Sequence, residues 1–177
     1  MEINELDFEE LKPIPELELG DEREVYAFYG LAAFHAQCAE KSLVNFAMGY
    51  RVLDETILTQ EQWLEIYDKT NDKTFGRLLG EVKSKAGLSH DLKIYLEDAL
   101  RKRNWLAHDF FYDYASHFSD FEGRVEMINE LQRLIRTFQI ADHEIEKLSL
   151  KIWEKFGVTE EWIQTEMMAQ LAEYNLR

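Results

Sequence analysis

The fold of this chain is decided by one long stretch, residues 121–156, which reads FEGRVEMINELQRLIRTFQIADHEIEKLSLKIWEKF. Apolar side chains recur along it with the period of one helical face: Val125, Ile128, Leu131, Ile135, Phe138, Ile145, Leu148, Ile152 and Phe156. At 1.5 Å per residue, such a helix would be about 50 Å long unless it bends near Ala141. A capping box of Ser119 and Glu122 is predicted to start it, and Gly157 to end it.

The same helical character extends through the rest of the chain. A second long helix is predicted to begin after Asp21, which is a favourable N-cap residue, and to run to about Tyr50. Shorter helices are predicted after a capping box of Thr59 and Gln62, within residues 71–87 with Gly87 as the stop, over residues 90–115 after Ser89, and after Thr159. Both prolines lie within the first 15 residues, so the strongest helix breaker is absent from the remainder. We therefore expect an all-α protein, a single antiparallel helical bundle with at least two-thirds of its residues helical.

The first 20 residues differ from the rest in composition. They carry seven carboxylates against one lysine, and Pro13 and Pro15 favour extended backbone around them. We expect residues 1–20 to form an acidic N-terminal arm, either solvated or packed on the body. Because a chain of 177 residues forms one domain by default, residues 21–177 are expected to form a single helical domain.

The charge balance restricts the classes of function. Thirty-five acidic and 20 basic residues give a net charge of −15, which argues against a nucleic-acid coat or a membrane-surface protein, although it permits a small basic pocket. The single cysteine, Cys38, has no partner for an internal disulfide, which favours a reducing compartment. The acidic N-terminus does not resemble a signal peptide, and no apolar run approaches 18 residues. A cytoplasmic location without membrane contact is expected.

Metal and nucleophilic chemistry find little support in the sequence. No histidine follows an acidic residue by three positions, as a di-iron bundle requires, and there is no zinc-protease motif or cysteine pair. Cys38 lies in mid-helix, away from the cations that would activate its thiol, and is interpreted with His35 as a core-facing pair. Neither a nucleophile elbow nor a glycine-rich phosphate loop is present. We expect no metal site and no cofactor.

One stretch does carry chemically suggestive residues: RKRNWLAHDFF, residues 101–111. On an ideal helix Arg101, Asn104 and His108 share a face, whereas Arg103 lies ~140° from His108 around the helix axis. Arginine offers a planar, permanently charged donor fork for phosphate, and histidine is the side chain best suited to move a proton near neutral pH. These are the groups that a metal-independent ribonuclease needs to deprotonate the RNA 2′-hydroxyl and to stabilise charge on the phosphorus oxygens. The alternative is a polar helix face whose arginine and histidine pair with nearby carboxylates.

Within this stretch, Arg103, Asn104, Ala107 and His108 resemble the signature of the HEPN superfamily. That signature has an arginine, then a polar residue that is often asparagine, and a histidine four to six residues after the arginine. The long first helix, the motif late in a later helix, and the long helix that follows also resemble HEPN domains, over about residues 21–156.

The resemblance implies a helical domain that dimerises and brings two copies of the motif together at the two-fold axis. It implies that Arg103 stabilises the scissile phosphate, that His108 is a general acid or base, and that Asn104 assists. Arg101 and Lys102 are expected to contact substrate. Many HEPN proteins are metal-independent RNases, notably toxins and antiviral effectors, so an RNA substrate, a homodimer, and an antitoxin or regulatory protein partner are expected. Two alternatives stay open: a non-catalytic helical dimer that serves as an interaction module, and a small-molecule or nucleotide sensor.

Overall fold

The computed structural model describes residues 11–53, 59–85 and 88–175. Within these ranges the chain forms seven α-helices: α1 (Glu22–Leu53), α2 (Gln60–Asn71), α3 (Phe75–Lys85), α4 (His90–His108), α5 (Phe110–Asp113), α6 (Phe121–Trp153) and α7 (Glu160–Asn175). Short 3₁₀ turns at His117–Ser119 and Glu154–Phe156 flank α6. Of the described residues 84% are helical and none is in a strand, which confirms the all-α prediction.

The core lies mainly between the two longest helices, α1 and α6, with α3 and α4 packed beside them. Contacts pair successive turns of α1 with successive turns of α6 in the same order: His35 meets Gln139, Ser42 meets Asp142, and Asn45 meets Trp153. The two helices therefore run parallel, and the expectation of a purely antiparallel bundle is wrong for this pair. A parallel pair is possible because α2 to α5 carry the chain back between them. Against α1, helix α4 is antiparallel, since Tyr29 bonds to Leu106 and Glu40 to Arg103.

Most of the predicted helix ends are confirmed. Asp21 accepts a hydrogen bond from the Glu24 amide, Thr59 and Gln62 form the reciprocal capping box, and Ser89 and Thr159 cap α4 and α7. Gly157 follows α6 in the left-handed conformation, with φ 80°. The predicted stop at Gly87 lies outside the described residues.

The start of α6 differs from the prediction by one residue. The N-cap is Asp120, whose carboxylate accepts from the Gly123 amide, and Ser119 belongs to the preceding 3₁₀ turn. Gly123 is required there because an added Cβ would lie 2.1 Å from the carbonyl oxygen of His117. The helix then runs unbroken past Ala141, so no bend interrupts it, and both ends of its apolar pattern, Phe121 and Phe156, are exposed.

The helix predicted over residues 90–115 is in fact two helices. Helix α4 ends at His108, because Asp109 leaves helical geometry at φ −122° and ψ −18°, and α5 follows as a single turn. The break lets Phe110 turn inward and become fully buried. The face of α4 toward the core consists of Leu92, Leu96, Ala99 and Leu106, whereas Ala107 is exposed.

Residues 11–20 lie as an extended strap across α1 and α6. Backbone carbonyls of Lys12, Pro15 and Gly20 accept hydrogen bonds from Gln139, Gln132 and Arg124 of α6. Ile14 and Leu17 pack against the core. Of the two predicted alternatives for the arm, packing on the body describes this part of it, and residues 1–10 lie outside the described ranges.

The C-terminal end of the described chain differs from the N-terminal strap in how it packs. After Gly157, α7 packs against no other helix extensively, and no side chain from Glu160 to Tyr174 is buried. No helix in the described part of the chain combines the length and apolar character needed to cross a membrane.

Candidate functional site

The exposed face of α4 forms a shallow groove of about 460 Å³ near the helix C-terminus. It is lined by Glu97, Leu100, Arg101, Asn104, Trp105, His108 and Asp109. Arg101, Asn104 and His108 therefore lie together, as their spacing of three and four residues predicts. Arg103, which the HEPN resemblance assigns to the phosphate, is not part of the groove lining.

His108 is the last residue of α4, and its side chain is exposed. Within the described ranges, no hydrogen bond or ion pair engages its imidazole. Two residues further along the chain, the buried ring of Phe110 packs against Trp105, Tyr29 and Tyr114. The exposed imidazole of His108 lies near this cluster in the sequence, and both of its nitrogens are available to a ligand.

The cations near the groove are not equivalent. Arg101 is exposed and pairs with Asp98 one turn before it. Lys102 pairs with the same carboxylate at 2.9 Å and donates to the Thr137 hydroxyl of α6 at 3.2 Å, so it serves as a bridge between helices. Burial of Asp98 opposes ionisation, but hydrogen bonds from Lys102 and Arg101 outweigh it and lower the pKa of this carboxyl. Of the two residues expected to contact substrate, only Arg101 faces the groove.

Arg103 lies on the side of α4 that faces α1. Its Nη2 donates to Glu40 Oε2 at 3.0 Å, and its Nη1 donates to Asn104 Oδ1 at 3.2 Å. A guanidinium can only donate, so the atom of the Asn104 amide that faces it must be the oxygen. The amide nitrogen of Asn104 is left as a donor. Glu40, on α1, was not singled out from the sequence, because nothing in the spacing of the motif indicates which carboxylate the fold brings to it.

A second set of polar side chains lies between α1 and α6, which we call the α1–α6 polar seam: His35, Cys38, Ser42, Gln139 and Asp142. Ser42 donates to the Asp142 carboxylate, and Gln139 contacts His35 at 3.4 Å while donating to the strap carbonyl of Lys12. His35 is core-facing, as predicted, and Cys38 is half-buried. The sequence did not indicate that Ser42 and Asp142 would join them.

Burial changes the proton affinities in the seam. It raises the pKa of Asp142, against the Ser42 hydrogen bond that lowers it, and it raises the pKa of the Cys38 thiol. It lowers the pKa of His35, which is therefore held neutral. A thiol with a raised pKa is a poor nucleophile, so the seam is suited to packing and not to covalent chemistry.

No metal site accompanies either cluster. Among the described residues, no group of three or more histidine, cysteine, aspartate or glutamate side chains is arranged to hold a metal ion. Comparison of the chain with protein-family models, with curated proteins and with solved structures found no match.

Proposed function

We propose that the protein is a metal-independent endoribonuclease of HEPN type, which acts as a homodimer with the α4 groove as its active site. The observation that carries the proposal is the placement of Arg101, Asn104 and His108 along one open groove, with the His108 imidazole unengaged. Support also comes from the order of helices, because the motif lies late in α4, between the long helices α1 and α6.

The chemistry follows from the donors and acceptors in the groove. His108 accepts the proton of an RNA 2′-hydroxyl, the 2′-oxygen attacks the adjacent phosphorus, and the bond from phosphorus to the 5′-oxygen breaks. The leaving 5′-oxygen takes a proton from an imidazolium, and the products end in a 2′,3′-cyclic phosphate and a 5′-hydroxyl. Arg101 and the amide nitrogen of Asn104 donate to the phosphoryl oxygens, where negative charge grows.

Arg103 acts in this scheme through Asn104. The chain of contacts from Glu40 to Arg103 to Asn104 fixes the amide with its oxygen inward and its nitrogen outward. The HEPN resemblance assigns the phosphate contact to Arg103 itself. The positioning role is favoured because Arg103 faces α1, where it pairs with Glu40, whereas Arg101 lines the groove.

A homodimer completes the site. One chain offers a single imidazole to two proton transfers, and a second copy across a two-fold axis supplies another. Ile94 is exposed on the same helical face as Arg101 and His108, and Tyr112 of α5 projects just beyond them. Of the aromatic residues 110–114, Phe111 and Tyr112 are exposed enough to serve at such an interface, while Phe110 belongs to the core. An antitoxin or another regulatory protein, and a cytoplasmic location, are proposed with this function.

The test is cleavage of single-stranded RNA by purified protein in EDTA, with His108→Ala protein purified identically as the contamination control. We expect products with 2′,3′-cyclic or 3′-phosphate ends, intact DNA, and a dimer by light scattering. Cleavage that requires a divalent cation, or equal cleavage by the two proteins, would overturn the proposal.

A second function, a non-catalytic helical interaction module, is favoured by a different observation. Both motif arginines are engaged by carboxylates of the same chain, Arg101 by Asp98 and Arg103 by Glu40. An arginine neutralised in this way holds the surface in shape for a protein partner. A dimer that cleaves no RNA, and whose association weakens in Ile94→Asp protein, would support this function.

A further inference from the structure

Helix α7 is stable only if something covers it. It has 16 residues, none of its side chains from Glu160 to Tyr174 is buried, and it makes no extensive contact with another helix of the described chain. An isolated helix of this length is marginal in water, because most helical stability in proteins comes from packing one face against something else. Packing within the described part of the chain does not provide this for α7.

One face of α7 is suited to such packing. Ile163, Met167, Leu171 and Tyr174 follow each other at steps of four, four and three residues, so they form a stripe along the helix. All four are between 44% and 78% exposed. Trp162 and Met168 are exposed on the other faces of the helix. An exposed stripe of this size marks an interaction site more often than a random surface.

The stripe continues into a groove. Ile163 also lines a groove of about 880 Å³ formed by α1, the second half of α6 and the start of α7, together with Leu150, Trp153 and Val158. The stripe and the groove together form one surface, which we call the α7 surface. Its shape, an apolar helix face that runs into a cleft, fits an amphipathic helix laid alongside α7.

Charge decides which kind of partner fits. Helix α7 carries four glutamates, at positions 160, 161, 166 and 173, and no lysine or arginine. Two copies of α7 side by side would bring eight carboxylates together without a cation between them, so a second copy of this chain is a poor occupant. We infer that the α7 surface binds a basic amphipathic helix of another protein, with its apolar face on the stripe and its lysines or arginines facing the glutamates.

The proposal can be tested with a synthetic 18-residue peptide of leucine and lysine in amphipathic helical order. Its matched control has the same composition in an order that abolishes the apolar stripe, so the charge is unchanged. Fluorescence anisotropy of the labelled peptides is expected to show at least ten-fold tighter binding of the amphipathic peptide. Amide exchange within residues 160–175 is expected to slow when that peptide is bound.

Substitutions in the protein test whether the peptide binds at the α7 surface. Met167→Gln and Leu171→Gln remove apolar contacts without changing charge, and each should weaken binding of the amphipathic peptide about ten-fold or more. Phe34→Gln removes an equally exposed aromatic residue on α1 and should leave binding unchanged. Equal binding of the two peptides, or equal affinity of the Leu171→Gln protein, would overturn the proposal. Sedimentation that shows self-association lost in Leu171→Gln would assign the surface to a second copy instead.

Discussion

Two regions of this molecule gather side chains capable of chemistry, and they use them in opposite ways. In the α1–α6 polar seam, His35, Ser42 and Asp142 are engaged with one another or with neighbouring helices. Burial also shifts the proton affinities of His35 and Asp142. On α4, His108 and Asn104 line an open groove, and the His108 imidazole makes no hydrogen bond within the described chain. The type of a residue therefore does not by itself identify a functional site. What matters is whether its hydrogen-bonding capacity is still available after folding.

The largest effects are expected from substitutions of the two histidines, His108 in the groove and His35 in the seam. His108→Ala is expected to lower the rate of RNA cleavage ~10²-fold or more, because it removes the general base, and to leave the melting temperature nearly unchanged. His35→Ala should do the reverse. It leaves a cavity in the core and removes the contact between His35 and Gln139, so it should lower the free energy of unfolding by ~2 kcal/mol while the folded protein keeps its cleavage rate. Single-turnover cleavage and urea unfolding of both variants measure the two effects. Equal losses of activity would show that the contrast is false.

The two arginines test which cation faces the ligand. Arg101→Ala should cost ~10²-fold in cleavage rate, since it removes a donor to the developing charge on the phosphate. Arg103→Ala should cost about ten-fold, since it frees the Asn104 amide to rotate but leaves Arg101 in place.

A double-mutant cycle separates positioning from direct contact. If Arg103 acts through Asn104, the losses from Arg103→Ala and Asn104→Ala should be strongly non-additive, and Glu40→Gln should resemble a weaker Arg103→Ala. A larger loss at Arg103 than at Arg101, additive with the loss at Asn104, would restore the assignment that the HEPN resemblance implies.

Local signals in the sequence were enough to predict some parts of this structure and not others. The helices were predictable because apolar period and capping residues are local signals: the Thr59–Gln62 box and the Asp21, Ser89 and Thr159 caps all form. The shared face of Arg101, Asn104 and His108 was predictable for the same reason. The break at Asp109 was not, because the burial of Phe110 among rings from α1 and α4 decides it.

Contacts between residues that are far apart in the sequence could not be predicted from local signals either. Glu40 reaches Arg103 across 63 residues, and Ser42 reaches Asp142 across 100 residues. The first contact depends on α4 running antiparallel to α1, and the second depends on α1 and α6 running parallel. Apolar periodicity does not encode either fact of the topology. The expectation of an antiparallel bundle would have placed different turns of α1 and α6 opposite each other.

Ser42, in the seam, and Ser149, further along α6, form a matched pair of buried serines. Ser42 donates to Asp142, whereas no hydrogen bond reaches the Ser149 hydroxyl from the described residues. Ser42→Ala should lower the free energy of unfolding by ~1–2 kcal/mol at pH 7, because it leaves a partly buried carboxylate without its donor. Ser149→Ala should change it by less than ~0.5 kcal/mol. Urea unfolding measures both, and equal effects would mean that the Ser42 hydroxyl contributes only packing.

The smallest effect expected concerns the charge of Asp142, and its size depends on pH. Burial raises the pKa of Asp142 in the folded protein above its ordinary value of 3.8. At pH 7 the carboxyl is ionised in both the folded and the unfolded chain, and folding includes the cost of burying that charge. When the pH falls through the raised pKa, the folded protein takes up the proton first and this cost disappears. Asp142→Asn removes the charge and keeps an oxygen to accept from Ser42, so the variant should unfold at higher urea concentration than the wild type at pH 7.

That advantage should shrink as the pH is lowered through the native pKa of Asp142 and vanish below about 3.8. Glu24 and Glu81, whose pKa values are lowered by hydrogen bonds, lose their stabilising effect over an overlapping acid range, but they do so in both proteins and cancel in the difference. Asp68→Asn, at an exposed position on α2, is the control and should show no such pH dependence. If Asp142→Asn were instead less stable than the wild type at pH 7 and equal to it in acid, the charged carboxylate would be a stabilising partner of His35, and the seam would be an ion-paired network.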